Sequence, residues 1–322
     1  AVHREIPSFP TRRSSDLLGA GGSISKSLTD ELIKNGQKIR LASRKEIIKE
    51  GAVWIKTDLL NYQETVNAVK GCDIAVLTAG LKYDKKVWQQ EWLPLMRNVI
   101  DACKSENVKL IFFDNVYMYG LVRGKMTENT AYNPSSRKGE IRARVAKMLE
   151  SEFQRGNINA IIARAADLYG PYGGANCVPN FMIIENLMKG KKAQILGKEN
   201  VFHSLTYIPD CAKSLFLLAN DNTAYNQIWH LPTANPPITS KQFVGYTAEL
   251  LKVAPKYSVL SKFIIGLAGM FNSTINEVKE MLYQNLYDYY FDSTKFEQHY
   301  NFTPTSYLKG IEETILYYKN NI

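Results

Sequence analysis

Seven residues near the start of the chain, Gly19-Ala20-Gly21-Gly22-Ser23-Ile24-Ser25, carry the first chemistry that residue types and spacing suggest. Gly19 permits a tight turn, Gly22 allows close approach of backbone, and Ser23 and Ile24 open a helix whose free N–H groups suit a pyrophosphate. Ser25 stands where a third small residue lets helix pack on strand. In such a βαβ unit a carboxylate about 20 residues on holds a ribose 2′-hydroxyl. This chain instead reads Leu41-Ala42-Ser43-Arg44-Lys45 there. Ser43 and Arg44 suit a 2′-phosphate, so the expected cofactor is NADP, with NAD second. Asp58 and Leu59 suit an adenine amino group and ring face. Thr78, Ala79 and Gly80 offer small side chains where a cofactor backbone passes.

The elements that must position these residues are legible in the apolar pattern. Helices are predicted over Gly22–Lys34, Tyr62–Val69, Leu93–Lys104 and Gly139–Phe153. Strands are predicted over Lys38–Ala42, Ala52–Thr57, Ile74–Thr78, Val108–Asp114 and Ile158–Ala165. Alternation at this spacing predicts an α/β fold, a Rossmann-type doubly wound parallel sheet of order 3-2-1-4-5-6 with a smaller C-terminal α/β lobe. Runs such as Leu110-Ile111-Phe112-Phe113 are apolar throughout, as strands covered on both faces should be. Residues 18–170 form the expected cofactor domain. Residues 171–322 form the smaller substrate lobe, whose strands Phe202–Ile208 and Gln227–Leu231 interleave with the first domain.

Residues 1–17 are expected to be a foreign leader outside the fold. Phe9 to Leu17 resembles one reading frame of a common sequencing adapter, and only Leu17 and Leu18 suit a central strand. Burying Arg13 or Asp16 unpaired there would cost several kcal/mol, so the first strand is expected to be short or strained.

The 322 residues are 45% hydrophobic and 22% charged, the balance of an ordered globular chain rather than a disordered one. Lys plus Arg exceed Asp plus Glu by 40 to 31, but the basic residues are scattered. Anionic small molecules account for that excess better than nucleic acid does. Four separated cysteines without histidines at ligand spacing argue against a metal site and for a reducing, cytoplasmic setting. No apolar run reaches the length of a membrane span. A homodimer is possible.

Further along, Met118-Tyr119-Gly120, Arg164 through Leu168-Tyr169-Gly170-Pro171, and Phe202-His203-Ser204-Leu205-Thr206-Tyr207-Ile208-Pro209-Asp210 stand in order. With the glycine turn they resemble the motifs of the extended short-chain dehydrogenases, the NAD(P)-dependent epimerase/dehydratase family. The resemblance implies a Ser or Thr and a Tyr-x-x-x-Lys that move a proton. Aligned on these motifs, Asn115 takes the serine position, and Lys138 and Arg142 take those of the tyrosine and lysine. The chain therefore resembles the atypical members. It implies an oxidoreductase or epimerase/dehydratase-like enzyme of a sugar, nucleotide sugar or small carbonyl compound, with Asn115, Tyr117, Lys138 and Arg142 as catalytic candidates. Arg142 is also a cofactor candidate, holding ribose or phosphate as a permanent cation. Lys138, if desolvated beside Arg142, would exchange a proton. Tyr83, Asp167, Tyr169 and Asn176 are the substrate candidates. The alternative is a non-catalytic NADP-binding sensor or structural protein.

Overall fold

The computed structural model describes residues 14–174, 177–271 and 277–321, with side chains throughout except at 267–271. Seven strands make the central sheet: β1 (Ser14–Leu18), β2 (Lys38–Ser43), β3 (Ala52–Lys56), β4 (Ile74–Leu77), β5 (Lys109–Asp114), β6 (Ala160–Arg164) and β7 (Gln227–His230). All neighbours are parallel, in the order β3-β2-β1-β4-β5-β6-β7. The expected doubly wound order is present, and β7 from the C-terminal half extends it.

Side-chain alternation explains why both faces must be covered. Leu17 packs with Leu41, Val76 and Ile161 under α1 (Ser23–Lys34). Leu18, on the opposite face, packs with Leu77 and Phe112 under α2 (Tyr62–Val69), α3 (Lys85–Ser105) and α4 (Arg137–Gln154). A further helix, α5 (Ile208–Asn220), joins the α1 face through Cys211, Ala212 and Leu215.

Two expectations are corrected. Ser14 to Leu17, read as leader, belong to β1, a five-residue strand between β4 and β2 with Leu17 opposite Leu41 and Val76. Asp16 is fully buried there but not unpaired: both its carboxylate oxygens take hydrogen bonds from Arg40 of β2, one at 2.6 Å. Arg40 also donates to the Lys70 carbonyl at 2.9 Å. The position of Arg13 lies outside the described residues. Helix α3 begins at Lys85, eight residues before the expected Leu93. Asp84 caps it, accepting from Lys86 and Val87 N–H, and Trp88 and Trp92 bury one turn apart. Pro94 is tolerated inside the helix on its exposed side.

The C-terminal half adds short parallel pairs, Asp167–Tyr169 with Leu205–Tyr207 and Ala193–Leu196 with Tyr257–Leu260. Helices Ser240–Leu251 and Tyr307–Asn321 close a separate core around Ile195, Phe243 and Ile311. No helix among the described residues is long and apolar enough to cross a membrane.

Candidate functional site

The glycine turn is built by close contact at one point. Gly19 has φ +78°, and its N–H and that of Ala20 both donate to the Ala42 carbonyl at 3.0 Å. A Cβ on Gly19 would lie 2.3 Å from the Ala79 Cα, so only glycine lets the two strand ends meet. Gly22 caps α1 without a side-chain hydrogen bond, and a Cβ there would meet nothing within 4 Å. The first N–H groups of α1, at Ser23 and Ile24, therefore lack a side-chain cap. Ser25 holds the turn, accepting from Gly21 N–H at 2.8 Å and donating to the Gly22 carbonyl at 3.0 Å.

Beside this turn runs a cleft lined by Gly19, Ser43, Arg44, Asp58, Leu59, Ala79 and Gly80. Seven of the cofactor candidates thus share one surface. Arg44 is exposed at the rim. Ser43 is less free than its type suggests: its hydroxyl donates to the Lys45 carbonyl at 2.6 Å and accepts from the Trp54 indole at 3.0 Å. Its proton is engaged, so Arg44 is the freer donor of the two. Asp58 is fixed by an Asx turn to Leu60 N–H at 3.0 Å and by Glu64, which accepts its backbone N–H at 2.7 Å. Thr78 N–H donates to the Leu18 carbonyl at 2.9 Å, tying the β4 end to β1.

The catalytic candidates sit past β5 and on α4, and the structure separates them. Asn115 accepts from Tyr117 N–H at 3.1 Å, closing the single turn that carries Tyr117. The Tyr117 ring stacks on Trp88 with centroids 6.2 Å apart, and Trp88 meets the Tyr83 ring edge-on at 5.8 Å. Burial raises the Tyr117 phenol well above its usual range, so it stays a donor.

Lys138 and Arg142 do not form the expected pair. Fully buried, Lys138 meets the Glu277 carboxylate, the Glu277 carbonyl at 3.2 Å and the Glu280 carboxylate at 3.6 Å, with its Nζ 4.5 Å over the Tyr83 ring. Two carboxylates from a distant segment meet its Nζ, in place of the open, desolvated position expected beside Arg142. Arg142 is turned into the core, where Nε and Nη2 both reach Asp114 and the guanidinium lies 4.3 Å above Trp92. A fully buried strand-end carboxylate demands that partner, so Arg142 does not lie open to a ribose.

Asp114 is the residue that sequence reading missed. It joins Arg142 to Arg164, whose Nε stands 3.4 Å away and whose side chain is fully buried. Arg164 donates to the Tyr119 hydroxyl at 2.8 Å and to Tyr132. Tyr119 in turn meets His230 Nε2 at 2.8 Å, and His230 Nδ1 faces the Asp292 carbonyl at 2.8 Å. Since a carbonyl only accepts, Nδ1 carries the ring proton and Tyr119 donates to Nε2. Burial, with Arg164 nearby, pushes His230 down to about 3, which keeps the ring neutral. Arg164 stood in a recognised motif; nothing in the sequence linked it to Asp114.

Among substrate candidates, Asp167 lines a cavity with His203, and their contact is 2.9 Å. Tyr83 forms the edge of the Trp88 and Tyr117 cluster. Tyr169 is corrected: it is fully buried among Tyr207, Phe243 and Tyr307, and a Cβ on Gly310 would press its hydroxyl at 2.4 Å. The apolar packing of the C-terminal lobe claims it. Asn176 lies outside the described residues. Cys177 is buried, and burial pushes its thiol up to about 12, so it is no thiolate.

The profile of the NAD dependent epimerase/dehydratase family matches residues 17–230, which hold the turn, the cleft and the Asp114 network. The chain belongs to this family. A relative in Bacillus subtilis, named an uncharacterised UDP-glucose epimerase, is 24% identical over 221 residues, spanning 61% of this chain and 69% of the relative. A 2-alkyl-3-oxoalkanoate reductase of Shewanella oneidensis is 27% identical over 220 residues, 62% of this chain but only 55% of that protein. In three dimensions this family member is similar to dTDP-glucose 4,6-dehydratase of Bacillus anthracis in complex with NAD, at TM-score 0.79 and 15% identity, covering 96% of this chain and 97% of that one. It is also similar to UDP-glucose 4-epimerase of Thermus thermophilus with NAD, at TM-score 0.78 and 16% identity, covering 96% and 100%. At such identities the likeness shows the fold.

Proposed function

We propose that this epimerase/dehydratase family member binds NADP(H) in preference to NAD(H) and oxidises or reduces a hydroxyl- or carbonyl-bearing carbon of a sugar, nucleotide sugar or small carbonyl compound. The observation that carries the cofactor choice is Arg44, exposed on the wall of the dinucleotide cleft where an NAD enzyme places a carboxylate. The solved neighbours named above hold NAD, so the preference follows from this side chain rather than from the fold. Calorimetric titration of both cofactors tests it. Wild type is expected to favour NADP(H), and Arg44→Ala to weaken NADP(H) about 10- to 100-fold with NAD(H) unchanged, since a charge-assisted hydrogen bond contributes about 1.5–3 kcal/mol. Equal affinities in wild type would refute the assignment.

A bound nicotinamide cofactor supplies or accepts two electrons and a hydrogen at the substrate carbon. In the reducing direction the protein's part is to give a proton to the substrate oxygen. Tyr117, kept protonated by burial and positioned by Asn115 and Trp88, fits that role. Lys138 and Arg142 are already engaged in ion pairs. UDP-glucose and a 3-oxoalkanoate, taken from the names of the relatives, are the first compounds to assay. Tyr117→Phe is expected to lower kcat on the order of 10²-fold or more while NADP(H) affinity stays constant. A fully active Tyr117→Phe chain would rule this donor out.

The ion pairs of Lys138 and Arg142 specifically favour the second reading, a protein that binds NADP without turning it over. NADP binding with no oxidation of NADPH by any assayed carbonyl compound would decide for it.

A further inference from the structure

The cavity beside Asp167 is built differently from a diphosphate site. Its enclosed space is small, about 40 Å³, and opens to solvent; Asp167 and His203 are the titratable side chains on its described walls. Gln194, Thr239, Ser240 and Asn285 add uncharged polar groups, and Leu196 and Ile238 add apolar faces. Asp167 lies opposite Leu205 in a parallel pair, and His203 stands two residues before Leu205 on a separate short strand, Phe202–His203, that pairs with Ile238–Thr239.

The ring of His203 is clamped on every side. Nδ1 stands 3.1 Å from the Gln284 carbonyl, Nε2 stands 2.9 Å from Asp167 Oδ2, and the face stacks on Tyr289 at 4.4 Å. Both ring nitrogens thus face oxygen atoms, one of the Gln284 carbonyl and one of the Asp167 carboxylate. His203 thereby engages Oδ2. Oδ1 has no partner among the described residues, and the Asp167 side chain is 34% exposed.

We infer that Asp167 Oδ1, fixed by His203, is a hydrogen-bond acceptor that selects an uncharged, hydroxyl-bearing substrate and disfavours a nucleoside diphosphate. The inference rests on the proposed reading of this site and narrows its substrate class. A sugar hydroxyl donates to Oδ1, whereas a phosphate oxygen there sets two acceptors against each other with no cation between them. The amide and hydroxyl side chains of the wall serve the remaining hydroxyls, and the apolar faces serve ring carbons. His203 acts through Asp167 and is a positioning residue.

Binding of methyl glucoside and of UDP-glucose to the full chain loaded with NADP tests this, using wild type, Asp167→Asn and His203→Gln. Asparagine keeps the size and offers an N–H donor. Asp167→Asn is expected to bind methyl glucoside about 10-fold more weakly and UDP-glucose about 10-fold more tightly than wild type. His203→Gln is expected to weaken methyl glucoside and leave the wild-type order of the two ligands intact. Tighter UDP-glucose binding by wild type than by Asp167→Asn overturns the inference, as does a chain that binds neither sugar. NADP titration of the same samples reports separately on the cofactor reading, so the two failures are distinguishable.

Discussion

Replacing Asp114 by alanine is expected to lower the unfolding free energy by about 3–5 kcal/mol, the cost of stranding buried charge. Two arginines depend on this carboxylate. Without it, among the described residues, Arg142 keeps the faces of Trp92 and Phe112, and Arg164 keeps tyrosine hydroxyls and a Glu150 contact at 3.7 Å. Neither guanidinium can shed its proton, so neither escapes by neutralising. The loss is a large part of the ~5–15 kcal/mol that holds a typical domain together. Because β5 ends at Asp114 and the next residues carry Asn115 and Tyr117, the variant should also lose turnover. Urea denaturation followed by circular dichroism measures the stability change; a loss below about 1 kcal/mol would show that the network is not a charge clamp. Asp114→Asn, which keeps an acceptor but not the charge, is expected to fall between the two.

Arg40→Met is expected to be nearly as damaging, and a second substitution should repair it. The Arg40 guanidinium, itself only partly buried, neutralises Asp16 in the middle of the sheet. Burial raises the pKa of Asp16 even so, with Arg40 pulling against it. A folded-state pKa above the unfolded value means that folding favours the protonated acid. The stability this group contributes is thus fully present below the unfolded value and lost as pH rises through the folded one. Without Arg40 the pKa climbs further, so Arg40→Met should lose about 3–5 kcal/mol near neutral pH and less in acid. Asp16→Leu combined with Arg40→Met should be as stable as wild type or about 1–4 kcal/mol more, because packed apolar residues match or exceed a buried ion pair. Melting curves of the three chains at two pH values give the comparison. A double variant weaker than Arg40→Met alone would mean that the pair provides something beyond neutralised charge.

The same pair shows where reading a strand from its own residues fails. Ser14-Ser15-Asp16 looks unfit for a central strand because its composition is polar. The partner that makes Asp16 tolerable lies 24 positions later, on a neighbour fixed only by sheet register. Hydrophobic periodicity is local and survives into the sequence, so the strand and helix alternation, the sheet order and the glycine turn were legible there. Gly19 was legible for a related reason: a left-handed turn between strand and helix needs glycine whatever surrounds it.

Charge pairing is not local, and there the tertiary structure decided. Lys138 and Arg142 stand four apart on α4, a spacing that suggests a joint role. Their partners, Glu277 and Asp114, come from a distant segment and a strand end, and these partners separate them. Asp167 and His203 lie 36 positions apart and meet only in the fold. By itself the sequence determined which segments form the sheet and where a dinucleotide can lie. The fold alone determined which of the charged side chains are already spent on one another, because desolvation forces each buried charge to find a partner wherever the packing brings one near.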